Sequence, residues 1–85
     1  MSRIIFSKHV LRRARERGID DKDIITTIEE PAEVINVKYG RKGTFRHLDC
    51  NYVVAIYEVR NGEIVVVTSV KVDKRRLERY GFSRI

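Results

Sequence analysis

The dipeptide Asn61-Gly62 constrains the fold of this chain more than any other feature of the sequence. Asn and Gly both tolerate the positive φ angles that a type I′ turn requires at its two central positions, so the pair predicts a tight hairpin. The segments on either side, 52–60 and 63–72, are rich in β-branched and aromatic residues. We therefore predict that they form two neighbouring antiparallel strands.

The hairpin also predicts which residues share a face of the sheet. Arg60 then faces Glu63 and Tyr52 faces Lys71, and directly opposed residues lie on the same face. The expected core face contains Val53, Ala55, Tyr57, Val59, Ile64, Val66, Thr68, Val70 and Val72. The other face is mixed and contains Tyr52, Val54, Ile56, Glu58, Arg60, Glu63, Val65, Val67, Ser69 and Lys71. We expect this mixed face to be a ligand-binding surface, a dimer contact or a surface covered by the C-terminal tail.

Two helices are predicted ahead of these strands. Ser7 is a candidate N-cap for a first helix that runs to about residue 17, and Gly18 suits its C-terminal end. Asp20 is a candidate N-cap for a second helix, which Pro31 ends because the residue before a proline avoids helical backbone angles. The remaining residues predict a strand over 34–37, a turn over 39–43, a strand over 44–48 and a turn over 49–51.

These elements predict an α+β fold in a single domain, residues 1–85. Two N-terminal helices are expected to pack on a four-stranded antiparallel sheet, because the apolar face of the sheet needs a second layer to cover it. The residues from about 73 onward form a basic C-terminal tail, in which one helical turn is expected near residues 75–79.

The charge balance favours a polyanionic partner. The chain contains 18 Lys and Arg residues against 12 Asp and Glu residues, which gives a formal net charge of +6. An excess of this size attracts polyanions, of which nucleic acid is the commonest. The alternative is charge that serves solubility and has no partner.

Cysteine usage and hydropathy set further limits. The single cysteine, Cys50, excludes an intramolecular disulfide and suits a reducing, cytoplasmic compartment. Together with His9 and His47 it supplies too few ligands for a structural zinc site, so we expect no metal and no cofactor. The longest apolar stretch, 64–67, is far too short to span a bilayer, and no membrane association is expected.

His9, Arg13 and Arg17 recur every four residues, which places them along one ridge of the first helix. Two guanidinium groups and an imidazole in a row suit a phosphodiester backbone. Arg donates hydrogen bonds through a planar fork, and His exchanges protons near neutral pH. The alternative interpretation is a solvated helix edge without a ligand.

A second basic group flanks the predicted turn over residues 49–51. If this turn centres on Cys50, Lys42 and Arg46 point to the mixed face of the sheet. A two-residue turn would exchange the faces and bring His47 there instead, because the side chains of a strand alternate. The sequence leaves both arrangements open.

Two further candidates lie on the mixed face and in the tail. Tyr52 opposite Lys71 would hold a stacked base beside a phosphate, or would only be a stabilising cross-strand pair. The densest positive run is in the tail, and it would lie along a phosphate backbone or stay mobile. This run consists of Lys74, Arg75, Arg76, Arg79, Tyr80 and Arg84.

The chain resembles a small domain-of-unknown-function family of bacteria and archaea through the run His9-x-x-x-Arg13-x-x-x-Arg17-Gly18-Ile19, followed by Pro31 and the stretch 66–70. The resemblance covers about residues 7–71. That family looks related to the RelE-like and BrnT-like toxin fold, in which two N-terminal helices pack on an antiparallel sheet. The resemblance implies a toxin that cuts RNA without a metal, in some members on the ribosome, and that is held by an antitoxin protein.

The first hypothesis is therefore a metal-independent endoribonuclease of toxin type. His9 or His47 would act as general base or acid, and Arg13 would help to neutralise the charge that develops on phosphorus. The residues expected to contact RNA are Arg17, Lys42, Arg46, Tyr52, Lys71, Arg75 and Tyr80. The second hypothesis is a non-enzymatic RNA-binding or protein-interaction module. The third is an inactive descendant of the toxin fold that serves as a homodimeric scaffold.

Overall fold

The computed structural model describes residues 3–84, which form one sheet and three α-helices. In chain order the elements are β1 (Ile4–Ile5), α1 (Lys8–Glu16), α2 (Asp21–Glu29), β2 (Glu33–Val37), β3 (Arg41–Leu48), β4 (Asn51–Arg60), β5 (Glu63–Val72) and α3 (Lys74–Glu78). The strand order is β1-β5-β4-β3-β2. β1 runs parallel to β5, and the other neighbouring strands are antiparallel.

The α+β class is confirmed, but the predicted four-stranded antiparallel sheet is wrong in detail. β1 adds a fifth strand to the sheet by pairing in parallel with Ile64 and Val65 of β5. A two-residue strand has no alternation of its own by which a sequence could predict it. None of the helices between residues 3 and 84 has the length and apolar composition that crossing a bilayer would need.

The helix ends lie where the sequence places them. Ser7 is the N-cap of α1, and its Oγ accepts a hydrogen bond of 3.1 Å from the backbone N–H of Val10. Gly18 follows α1 with a φ angle of 73°, a left-handed conformation that glycine adopts without steric cost. Asp20 is the N-cap of α2 and is extended, although its side chain makes no capping hydrogen bond. α2 ends before Pro31, as predicted.

The two N-terminal helices cover one face of the sheet, with α1 over β5 and α2 over β4 and β3. We call this the helix face. Its core consists of Val10, Ala14, Ile19, Ile24, Ile28, Val53, Ala55, Tyr57 and Val66. Burying each large apolar side chain stabilises the fold by about 1.5–3 kcal/mol, so this layer fixes how α1 lies along β5.

A β-bulge interrupts the hairpin between β4 and β5. The pairs Tyr57–Val66 and Ile56–Thr68 follow one another, so Val67 is an extra residue on β5. The predicted register is therefore correct from the turn as far as Tyr57 and wrong beyond it. Because one additional residue exchanges the two faces of a strand, every side chain of β5 after Val67 lies on the face opposite to the predicted one.

The bulge moves three kinds of side chain. Ser69 turns under the helices, where it pairs with Ala55. Val70 and Val72 move to the other face, where they join a second apolar cluster. Lys71 pairs with Val53 on the helix face, so the predicted pair of Tyr52 with Lys71 is wrong.

The C-terminal segment covers the second face of the sheet. A cover by this segment was one of the three roles that the sequence predicted for the mixed face. Leu77 of α3 is completely buried, and Phe82 packs edge-to-face on Phe45 with 4.6 Å between ring centroids. The buried members of this second core are Phe45, Val54, Val72, Leu77 and Phe82. The residues from 73 to 84 are thus a packed part of the fold and not a mobile tail.

The turns confirm one prediction and correct two. Asn61 and Gly62 both have positive φ angles, 52° and 78°, as the type I′ turn requires. The turn before β4 has two residues, because Leu48 pairs with Asn51. The turn predicted over residues 39–43 is a shorter one, Lys38–Gly40, and β3 begins at Arg41.

Gly43 lies inside β3 for a packing reason. A Cβ atom at this position would lie 3.0 Å from Cγ1 of Val37 and 3.9 Å from Cζ of Phe82. The glycine therefore makes room for the second core, whereas the sequence suggested a turn.

Glu33 at the start of β2 holds the end of the C-terminal segment. Its carboxylate accepts hydrogen bonds from the backbone N–H and hydroxyl of Ser83 and from the backbone N–H of Arg84, at 2.7–3.1 Å. Partial desolvation alone raises the pKa of the Glu33 carboxyl, but the hydrogen bonds outweigh it and hold this pKa below its ordinary value.

The free energy of unfolding is expected to decrease in acid in part because Glu33 takes up a proton. Its pKa is lower in the folded than in the unfolded protein, so below the ordinary carboxyl pKa of about 4.3 the unfolded state binds more protons and gains stability. The substitution Glu33→Gln is expected to make unfolding less dependent on pH in this range. Urea unfolding at a series of pH values measures the difference.

The control for this prediction is Glu29→Gln, at the exposed C-terminal end of α2, a carboxylate with no hydrogen bond or ion pair within residues 3–84. Hydrogen bonds from Arg41 and Arg60 lower the pKa of Glu58. Glu58 is present in both variants, so it contributes equally to the pH dependence of their unfolding free energies. An equal pH dependence in Glu33→Gln and Glu29→Gln would contradict the role of Glu33.

Candidate functional site

A cleft of about 260 Å³ opens between α1 and β5, and we call it the α1–β5 cleft. One wall is the ridge predicted from the sequence, with His9, Arg13 and Arg17 on α1. The residues that complete the lining are Val10, Val67, Thr68 and Ser69. The ridge, although exposed, thus borders a concave surface together with the strand.

Local structure on both sides forms this cleft. The four-residue spacing keeps His9, Arg13 and Arg17 on one side of α1, beside the buried positions Val10 and Ala14 that hold the helix on the sheet. On the strand side, the bulge at Val67 increases the local right-handed twist of β5 and turns Ser69 towards the helix. Bulges are frequent next to functional sites because they redirect a side chain without ending the strand.

The cleft also lies along an open strand edge. β1 pairs with β5 only at Ile64 and Val65, and beyond them no strand within residues 3–84 pairs with the outer edge of β5. The guanidinium of Arg17 uses this edge, since its Nη1 donates a hydrogen bond of 2.7 Å to the carbonyl oxygen of Ser69. Backbone groups of the strand are therefore available to a ligand in the cleft.

The cleft is electropositive. In the described part of the chain, no carboxylate oxygen lies within 4.0 Å of a side-chain nitrogen of His9, Arg13 or Arg17. Arg17 is hydrogen-bonded to a neutral carbonyl, and its charge is not compensated by that contact. Cationic groups that converge without a carboxylate partner attract an anion, and a phosphate group suits the planar fork of arginine.

Ser69 is an unusual member of the lining. The residue is 2% exposed, and its hydroxyl oxygen has no hydrogen-bond partner among the groups of residues 3–84. A buried polar group without a partner costs about 1–3 kcal/mol, and such groups in native proteins call for an explanation. The sequence predicted Ser69 on the mixed face, near Tyr52 and Lys71, and only the bulge brings it to the helix face.

His47 and Tyr52 lie away from the α1–β5 cleft. The two-residue turn after β3 places His47 opposite Tyr52, and their ring centroids are 4.7 Å apart. Tyr52 is half-buried and packs against the second core, on the face opposite the helices. His9 and His47 are therefore on opposite sides of the sheet, and the structure brings only His9 together with Arg13.

Arg46 and Lys71 lie on the helix face, on either side of Val53. Arg46 donates a hydrogen bond of 2.7 Å to the carbonyl oxygen of Glu30, at the end of α2. Lys71 is exposed and follows Ser69 by two residues on the same face of β5, which extends the positive charge beyond the cleft. The open choice between Arg46 and His47 is thus decided: His47 lies on the second face and Arg46 on the helix face.

The other residues that were predicted to contact RNA lie apart from the cleft and from one another. Lys42 pairs with Tyr57 near the start of β3 and donates a hydrogen bond to the side chain of Asn36. Arg75 is exposed on α3, on the second face of the sheet. Tyr80 lines a separate shallow groove of about 190 Å³ with Arg76 and Arg79. These residues do not join the α1–β5 cleft.

Metal ligands do not cluster in the part of the chain that the structure describes. Within residues 3–84 no three His, Cys, Asp or Glu side chains are placed to hold a metal ion together. Cys50 is exposed in the turn between β3 and β4. The chemistry that the cleft offers therefore comes from one imidazole, two guanidinium groups, a hydroxyl and the backbone of β5.

Fold and cleft together define a small α+β protein with a basic cleft beside an edge strand. The family model described as "Domain of unknown function (DUF4258)" matches residues 6–77, and the chain belongs to this family. The expected membership of a domain-of-unknown-function family is thus confirmed. Comparisons with curated proteins and with solved structures give no match.

Proposed function

We propose that this protein acts on RNA in the α1–β5 cleft, as a metal-independent endoribonuclease of toxin type. The observation that carries the proposal is the convergence of His9, Arg13 and Arg17 on one cleft without a carboxylate partner within residues 3–84. An imidazole next to two guanidinium groups suits a phosphodiester that must be held while the neighbouring 2′-hydroxyl loses its proton.

RNA supplies the nucleophile for this reaction. Neutral His9 takes the proton of the ribose 2′-hydroxyl, whose oxygen attacks the adjacent phosphorus, and the bond from phosphorus to the 5′-oxygen of the next nucleotide breaks. The leaving oxygen takes a proton from solvent, and protonated His9 returns its proton to solvent. The products are a 2′,3′-cyclic phosphate and a 5′-hydroxyl, so the balance of atoms and charge requires no further reactant.

The two arginines have different parts in this scheme. Arg13 is exposed and makes no ion pair within residues 3–84, so it is free to donate to the phosphate oxygens as negative charge develops on them. Arg17 is anchored to Ser69 and holds a second positive charge at the far end of the cleft. Lys71 lies beyond it and would contact the neighbouring phosphate.

The resemblance to the RelE-like and BrnT-like toxin fold supports the same proposal. Here α1 and α2 lie on strands that are antiparallel from β5 to β2, as in the arrangement that the resemblance implies. On this basis we propose single-stranded or ribosome-associated RNA as the substrate, with an antitoxin-like protein as the partner that restrains the activity.

The experiment is incubation of the purified protein with a labelled single-stranded RNA in the presence of a chelator. We expect shorter products that end in a 2′,3′-cyclic phosphate, which acid converts to a monophosphate. A DNA strand of the same sequence should stay intact, because it lacks the 2′-hydroxyl. Intact RNA after incubation with the protein alone and with ribosomes would contradict the proposed cleavage.

A second candidate function is RNA binding without cleavage. The observation that favours it is that the cleft contains one imidazole, since His47 lies on the opposite face of the sheet. Cleavage with a base and no paired acid is slower than with both. Affinity that falls with salt while the RNA stays intact would identify this function.

A further inference from the structure

The bulge in β5 places a neutral polar site at the floor of the cationic cleft. Without the extra residue Val67, Ser69 would face the second core, and with it the side chain lies beneath α1. The hydroxyl is buried and without a partner in the described chain, and the carbonyl of the same residue accepts a hydrogen bond from the guanidinium of Arg17. Ser69 thus offers one donor and two acceptors at the same place.

This pair of groups suits a hydroxyl of the ligand better than a phosphate oxygen. A phosphate oxygen accepts hydrogen bonds and is repelled by the carbonyl oxygen of Ser69, whereas a hydroxyl can donate to that carbonyl and accept from the serine. The side chains of His9 and Arg13 are exposed and lie at the rim of the cleft. Phosphate at the rim would therefore leave the sugar directed at the floor.

Arg17 connects the rim to the floor. Its guanidinium is the group bonded to Ser69, and the partner is a neutral carbonyl that an anion can replace. When a phosphate draws this guanidinium towards the rim, the carbonyl of Ser69 becomes free to accept a hydrogen bond from the ligand. Binding of the phosphate and exposure of the floor are thereby coupled.

We propose that Ser69 recognises the ribose 2′-hydroxyl of the nucleotide in the α1–β5 cleft and makes the protein prefer RNA to DNA, an inference that rests on the proposed action on RNA. This 2′-hydroxyl belongs to a nucleotide next to the one that His9 deprotonates, because one hydroxyl cannot donate its single proton both to the carbonyl of Ser69 and to His9. Ser69 is then a specificity-determining residue that does not touch the reacting hydroxyl. The 2′-hydroxyl is the feature that distinguishes RNA from DNA at a given site.

The test compares affinities for an RNA strand and a DNA strand of identical sequence, in a His9→Ala background so that the RNA is not cut. The His9→Ala protein is expected to bind the RNA about fivefold more tightly than the DNA, which is the value of one hydrogen bond. Adding Ser69→Ala is expected to remove this preference by weakening RNA binding alone. Fluorescence anisotropy with labelled strands at fixed salt measures both affinities.

Thermal unfolding of the same variants separates binding from a structural role. Ser69→Ala removes a buried hydroxyl without a partner, so the melting temperature is expected to stay equal or rise. The matched control is Thr44→Val, which removes a buried hydroxyl bonded to the carbonyls of Thr27 and Glu33. This control is expected to lower the melting temperature by about 5 °C and to leave the RNA preference intact.

Ser69→Cys serves as a second variant, because it keeps the shape of the side chain, with a somewhat larger terminal atom, and weakens its hydrogen bonds. Unchanged RNA preference in both Ser69 variants, or an equal loss of RNA and DNA affinity, would overturn the inference and leave the proposed function standing. A melting temperature that falls in both variants with the preference intact would assign Ser69 a structural role. A parent protein that binds neither strand would overturn the proposed function as well.

Discussion

Replacing His9 by alanine is expected to lower the rate of RNA cleavage by about 10²–10⁴-fold, the usual contribution of a general base. His9 is the imidazole that lines the α1–β5 cleft, and alanine at this exposed helix position leaves α1 and its buried stripe intact. The measurement is the single-turnover rate on a labelled RNA in a chelating buffer. The affinity for RNA should change much less than the rate, since Arg13 and Arg17 remain.

The control for this prediction is His47→Ala. His47 is an exposed histidine on the opposite face of the sheet, stacked beside Tyr52, and its loss is expected to leave the cleavage rate unchanged. If His47→Ala abolished cleavage and His9→Ala did not, the reaction centre would lie on the second face of the sheet. That result would contradict the scheme proposed for the cleft.

Replacing Leu77 by alanine is expected to lower the free energy of unfolding by about 2–5 kcal/mol. Leu77 is completely buried in the second core, so its truncation leaves a cavity between α3 and the sheet. For a chain of 85 residues the total stability is on the order of 4–13 kcal/mol, and the loss is a large part of it. Urea unfolding followed by far-ultraviolet circular dichroism gives the value.

Leu11→Ala is the matched control for the second core. Leu11 is half-buried on the outer side of α1 and belongs to neither apolar cluster, so the same chemical change is expected to cost less than about 1 kcal/mol. Equal losses for the two leucines would show that the segment from 73 to 84 is not docked on the sheet in solution.

The elements whose signals are local could be predicted from the sequence. Ser7, Gly18, Pro31 and the Asn61-Gly62 pair each act through the backbone of a few neighbouring residues, and each lies where it was expected. The α1 ridge belongs to the same group, because the pitch of a helix depends on nothing outside it.

The register of β5 could not be predicted for a physical reason. The stretch 64–67 is apolar at every residue, so both faces of β5 carry apolar side chains there and the pattern does not reveal a shift by one position. The bulge at Val67 is favoured by a second apolar layer, in which Val70 and Val72 pack under Leu77. This layer is formed by residues more than one strand away. The register predicted from the Asn61-Gly62 turn takes no account of them.

The candidate site shows the same division between local and distant determinants. His9, Arg13 and Arg17 were identified because one helix presents them together. Ser69 and Lys71 were both placed on the wrong face because they lie beyond the bulge. His47 and Arg46 were interchangeable in the sequence, and a turn of two residues, set by the pairing of Leu48 with Asn51, decided between them.

The most direct test of the α1–β5 cleft as the RNA site compares Arg13→Gln with Arg15→Gln. Both substitutions remove one exposed positive charge from α1, but only Arg13 lines the cleft, while Arg15 lies on the outer side of the helix. The measurement is the dissociation constant for a single-stranded RNA at several salt concentrations.

We predict that Arg13→Gln weakens binding about tenfold or more, the value of a charge-assisted hydrogen bond to phosphate, and lowers the salt dependence by about 0.7 in the logarithmic slope. Arg15→Gln should bind nearly as the unchanged protein does. Equal weakening by the two substitutions would mean that RNA responds to the net charge of the helix and not to the cleft, and it would contradict this account.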